Sequence, residues 1–211
     1  MKIQEIYEKY KIPSFLQEHQ LRVAAVASLL CKSIKNEEVD TDNIIKVCLL
    51  HDMGNIIKFD LDQNIFDHNE EELNYLKEVK KEMISKYGPE EHIATKKIIS
   101  ELGLDKKIET GVDLIGFSKL QNTVEKGSIE NKICSYSDMR VGPSGVISID
   151  ERMKDGENRY PEKSKKEYFK IGKESLYKIE KQIFSYMKIL PQDISDASIF
   201  EELIALREYR F

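Results

Sequence analysis

Residues 44–56 read IIKVCLLHDMGNI. The run Ile44-Ile45-Lys46-Val47-Cys48-Leu49-Leu50 is apolar on nearly every side of a helix. A helix apolar all round belongs in the middle of a protein. Asp40-Thr41-Asp42 supplies a helix start ahead of it, and Gly54 ends or bends it. The most buried helix of the chain therefore finishes on His51-Asp52. An ionised carboxylate in that position is costly unless another charge compensates it.

The pattern on either side is helical as well. Residues 3–10 predict a short helix stopped before Pro13, and Ser14 is expected to cap a second helix running to about Lys35. That helix carries the stripe Leu16, Val23, Val26, Leu30 and Ile34, and His19 falls on the same inward face. Residues 59–70 read as a polar loop. Helices follow over 70–87 and 90–102, with Pro89 leading and Gly103 stopping the second. One or two weaker helices cover 105–125, and another spans 129–141 before Gly142-Pro143. On it Asp138 is flanked at helical spacing by Ile133, Cys134 and Val141, so it too faces inward. A short helix over 148–154, a long one over 164–190 closed by Pro191, and a last one over 196–209 complete an all-α bundle of roughly eight to ten helices.

Composition agrees with this class. A chain of 211 residues suits one domain, or one with an added piece. Ten glycines and five prolines are too few for an all-β fold rich in tight turns. Charged residues at 34% and apolar residues at 40% fit a well-charged helical surface. A net charge of −5 gives no sign of a nucleic-acid-polymer binder. Cys31, Cys48 and Cys134 are widely spaced, which predicts buried thiols in a reducing compartment. The first residues, MKIQEIYEKYKIPSF, lack an apolar core, and no run approaches the ~20 apolar residues of a membrane span. The expectation is a soluble, cytoplasmic protein.

Two imidazoles and two carboxylates thus point into one helical core. A single divalent cation would answer all of these costs at once, with the ligands drawn from helices packed against one another. The residues alone also allow the aspartates to pair with Arg22, Lys46 or Arg140 and the histidines to be ordinary core.

The ordered set His19, His51-Asp52 and Asp138 resembles the H…HD…D signature of the HD superfamily of metal-dependent phosphohydrolases. Its surroundings are similar too: EHQLRVAAVASLL at 18–30, CLLHDMGNI at 48–56 and YSDMRV at 136–141. The resemblance covers about residues 14–141. It implies an HD-domain-like helical bundle; the expected division is a metal-binding helical domain over residues 1–160, with residues 161–211 as a C-terminal helical extension packed on the same domain. It implies His19, His51, Asp52 and Asp138 as ligands of one divalent ion: Mn, Co, Ni, Fe, Zn or Mg. It also implies hydrolysis of a phosphate ester by a water that the cation activates.

Further assignments follow from the same resemblance. Dinuclear members carry two extra histidines after the HD pair. Here His92 looks like the first and the second is absent, so one ion is expected. His92 then contacts substrate phosphate or a weak second ion, or is simply exposed, while His68 is expected to be solvated. Arg22, on the face of His19, would pair with a phosphate or with Asp52. Lys58 would reach the pocket mouth. Asn55 stands where many members have an acid or a lysine; it can orient a water or phosphate but cannot transfer a proton. Asp60 lies where nucleotidases of this superfamily carry a catalytic aspartate, or is a turn residue. Arg140 points away from the metal and is expected in a surface or structural ion pair. The stripe Phe169, Leu176, Ile179, Ile183, Tyr186 and Leu190 is core or the contact of a homo-oligomer. The expected partner is a small phosphorylated substrate, with a nucleotide favoured; no nucleic acid polymer and no membrane are expected. The alternative is a metal- and nucleotide-binding sensor module with little turnover, which the Asn55 departure motivates.

Overall fold

A computed structural model describes residues 1–35, 38–61 and 69–211. It is 71% helical, an all-α bundle. In chain order the α-helices are α1 (Ile3–Lys9), α2 (Ser14–Ser33), α3 (Thr41–Leu50), α4 (Glu70–Tyr87), α5 (Glu91–Glu101), α6 (Lys106–Asp113), α7 (Leu120–Lys126), α8 (Ile129–Met139), α9 (Ile149–Arg159), α10 (Pro161–Ser164), α11 (Glu167–Phe184) and α12 (Phe200–Arg207). Among the described residues these number twelve, above the expected range; α10 is an additional single turn, and residues 105–125 carry two helices, α6 and α7, within the one or two expected there. His68 and most of the predicted polar loop lie outside the described residues.

The centre of the bundle is α2 against α3, with α8 packed on both. In α3 every residue from Val47 to Leu50 is buried, as the apolar run predicts. Asp40 caps it by accepting from the backbone of Asn43 at 3.1 Å. In α2 the stretch Val23 to Ala27 is buried without a break. Its three alanines let neighbouring helices approach closely on more than one side, and α12 takes one of those sides. Ser14 does not cap α2. It is the first helical residue, and Pro13 stands at the cap position, extended at ψ 145°. The Pro13 carbonyl accepts the first amides, from Leu16 and Gln17, both at 3.0 Å.

Ser128 caps α8 in a reciprocal pair with Asn131, which starts the helix that ends beside Asp138. Directly after α8 comes a small antiparallel hairpin, β1 (Val141–Gly142) paired with β2 (Gly145–Val146), where the sequence reading had only a helix stop. Ser148 and Glu151 then cap α9, which runs to Arg159 and not 154. Helix α11 ends at Phe184, short of the expected 190, because the chain beyond it pairs with the end of α2: Ile34 bridges Met187, and Lys188 N donates to Ser33 O at 2.8 Å. In the predicted stripe Phe169, Leu176, Ile179 and Ile183 are core, while Tyr186 and Leu190 are exposed beyond the helix. Helix α12 starts later than expected because Ser195 and Ser198 form a turn through each other's hydroxyls. All three cysteines are free and buried. Among the described residues, no helix is long and apolar enough to cross a membrane.

Candidate metal centre

The three central helices bring His19, His51 and Asp138 together, with one ligand atom from each lying within 4.8 Å of the others. His19 comes from the second turn of α2, His51 from the end of α3, and Asp138 from the last turn of α8. Nε2 of His19 is 3.2 Å from Oδ1 of Asp138, and Nε2 of His51 is 3.5 Å from the same oxygen. The two imidazole rings are 5.4 Å apart between centroids. Asp52 stands against this cluster, with Oδ2 at 3.8 Å from Nε2 of His19 and Oδ1 at 3.7 Å from Nε2 of His51.

The backbone around the His-Asp pair is held on three sides. Gln20, fully buried and next to His19, accepts from the amide of Asp52 at 3.2 Å. Asn55, also buried, donates its side-chain amide to Oδ2 of Asp52, and its backbone amide donates to Asp52 O at 3.0 Å. Gly54 N donates to Oγ1 of Thr95 on α5 at 2.9 Å. A Cβ at Gly54 would lie 2.4 Å from the Glu91 carbonyl oxygen, so only glycine permits the first turn of α5 to sit there.

Charge in the cluster is unbalanced. Burial works against a proton on His51, yet the carboxylates of Asp52 and Asp138 outweigh it and raise its pKa to about 9. Burial works against the Asp138 carboxylate in turn, and the two histidines hold its pKa well below the usual carboxylate range. The four side chains thus call for positive charge between them. Nδ1 of His51 faces the Cys48 carbonyl oxygen at 2.8 Å, which can only accept. Nδ1 therefore carries a hydrogen, and the second proton that the carboxylates draw sits on Nε2, the nitrogen facing the cluster. Among the described residues that buried Nε2 has no hydrogen-bond partner, with Oδ1 of Asp138 standing 3.5 Å away. A metal ion among these four side chains would take the place of that proton and leave Nε2 free to ligate, so the residues fit a divalent metal.

Comparison with family models matches the HD domain over residues 16–139, more than half of the chain. The chain belongs to the HD-domain family. No curated protein and no solved structure gives a significant match. The family binds divalent metals and is one of metal-dependent phosphohydrolases. In this HD domain the cluster of His19, His51 and Asp138 could hold such an ion.

The remaining residues singled out from the sequence fall at varied places around the HD centre. Arg22 is not paired with Asp52 among the described residues. Its Nε lies 3.8 Å from Oδ1 of Asp196, which precedes α12. Lys58 ends the 3₁₀ turn Asn55–Lys58 and is exposed, as is Asp60 just beyond it. His92 is half exposed in the first turn of α5, its Nε2 3.9 Å from Oε1 of Glu91. That turn is the one seated on Gly54. Arg140 corrects the expectation of a surface or ionic role. It is buried and donates to the carbonyls of Ile147, Pro191 and Ile194 and to the Tyr136 hydroxyl. Sequence reasoning missed Gln20, Thr95 and the Cys48 carbonyl. Gln20 left a faint signal as a polar residue within an apolar stretch; the other two left none.

Proposed function

We propose that this HD domain is a metal-dependent phosphohydrolase acting on a phosphate ester of a small molecule, with nucleotides the favoured substrate class. The observation that carries the reading is the buried, unpartnered Nε2 of His51, which faces the carboxylates of Asp52 and Asp138 beside His19. The nucleotide part rests on the family association. A bound divalent cation supplies a water acidic enough to be a nucleophile near neutral pH and neutralises charge on a phosphoryl oxygen.

The chain's own residues would divide the remaining work. His19, His51, Asp52 and Asp138 hold the ion. Asn55 fixes one oxygen of Asp52 and so orients it. Arg22 would bind phosphate, because a guanidinium offers paired donors to an oxyanion. Lys58 and His92 are proposed as further substrate contacts, and Asp60 as the second catalytic carboxylate, in place of the acid or lysine that Asn55 replaces.

The test is phosphate release from a panel of nucleotides and other phosphate esters with Mg²⁺, Mn²⁺, Co²⁺ or Ni²⁺, with Asp52→Ala as the blank. Metal-dependent release that disappears in the variant is expected. No release from protein that still binds metal would reject the hydrolase and favour the sensor, which the absence of a proton donor at Asn55 already suggests.

A further inference from the structure

We propose that Asp196 is a positioning residue for substrate phosphate: it holds Arg22 by the Nε edge of its guanidinium, beside the metal cluster. This rests on the hydrolase reading only in taking phosphate as the anion. Arg22 lies one turn beyond His19 on α2, so the two side chains share a helix face. The contact at Nε is 3.8 Å, a charge interaction and not a hydrogen bond. Among the described residues the terminal nitrogens of Arg22 have no recorded acceptor. They form the forked end that takes an oxyanion through two parallel bonds.

Asp196 is itself held firmly. Both of its carboxylate oxygens lie 3.2 Å from the amide of Val146 in β2. A Cβ on Gly145 would fall 2.4 Å from Oδ2 of Asp196, and Gly145 has φ +142°, so a glycine is required for this approach. The hairpin that supplies the amide continues directly from α8 and Asp138. On the other side the carbonyls of Pro191 and Ile194 are fixed by Arg140. Asp196 lies beyond the matched HD residues, so this segment adds a charged group to the rim of the site from outside the family core.

The experiment measures binding of inorganic phosphate by calorimetry to the Mn²⁺-loaded full chain. It compares wild type, Asp196→Asn, Arg22→Gln and the double variant, with Mn²⁺ affinity and melting temperature determined for each. Asparagine keeps an oxygen for the Val146 amide but removes the charge. The expected result is a loss of phosphate affinity of about three- to fivefold in Asp196→Asn, the scale of a partly exposed ion pair. Arg22→Gln should lose about tenfold or more, and the double variant no more than Arg22→Gln. Unchanged or tighter phosphate binding in Asp196→Asn would overturn the proposal, and tighter binding would mean that Asp196 competes with phosphate. Losses that add in the double variant, equal losses of Mn²⁺ affinity, or no phosphate binding by wild type would overturn it too. Failure of the hydrolase reading has a separate signature: phosphate binds as expected, yet no ester is turned over.

Discussion

Nδ1 of His51 donates its hydrogen to the carbonyl oxygen of Cys48, one turn back on the same helix, at 2.8 Å. This bond turns Nε2 away from the helix and into the cluster. Replacing His51 with glutamine removes that ligand nitrogen while roughly keeping polarity. Saturating Mn²⁺ should stabilise the wild type by about 3 kcal/mol at a hundredfold excess over its dissociation constant. For a chain of this size that raises the melting temperature by roughly 6–12 °C. His51→Gln should show almost no such rise, as read by differential scanning calorimetry with and without the metal.

Among the described residues, Asn55 meets the site through Asp52. Asn55→Ala should therefore lower kcat/KM by about tenfold, the scale of one hydrogen bond to a charged group. Mn²⁺ affinity should change much less, because the ligands remain. Steady-state kinetics paired with a Mn²⁺ titration followed by electron paramagnetic resonance would separate the two. Equal losses in both would show that Asn55 builds the metal site itself.

Gly54 is where α5 meets the turn after the His-Asp pair. Gly54→Ala places a methyl group 2.4 Å from the Glu91 carbonyl and 2.9 Å from the Cβ of Ala94. Overpacking of this kind costs about 1–3 kcal/mol. Urea unfolding should show a lower midpoint with an unchanged slope, and the amide of residue 54 should lose hydrogen-exchange protection as its bond to Thr95 lengthens.

Glu202 ties α12 to α2. Burial works to raise its pKa, but the bonds from Lys32 and Ser28 outweigh it and hold the value below that of an ordinary glutamate. A depressed folded-state pKa stabilises the protein above the unfolded value of about 4.3, and that contribution fades as pH falls through the folded value. Glu202→Gln should cost roughly 0.5–1 kcal/mol at pH 7. The gap between variant and wild type in urea should close below about pH 4. A gap that persists in acid would mean that the bond to Ser28 matters and the charge does not.

Much of the centre could be read in advance because it rests on local pattern. The apolar run before His51, the stripe around His19 and the apolar neighbours of Asp138 each fix a helix face from residues within a turn or two. What could not be read depends on backbone atoms or on distant chain. The hairpin at 141–146 has two residues per strand, too few for an alternating pattern, and Gly142-Pro143 reads simply as a stop. Three of the acceptors of Arg140 are main-chain carbonyls, which have no sequence signature. Arg22 could be placed on the correct face, but its neighbour Asp196 is reached only through the path of the C-terminal segment.

Arg140 carries one more consequence. It follows the last candidate ligand by two residues, yet two of its acceptors, Pro191 and Ile194, lie 51 and 54 positions further along. During synthesis all four candidate ligands leave the ribosome well before the groups that satisfy this guanidinium. A nascent chain halted at residue 185 would hold the complete ligand set, but the end of α8 would still carry a cation lacking two of its carbonyl partners. Satisfaction of Arg140 thereby waits for the C-terminal segment, an order of assembly set by connectivity.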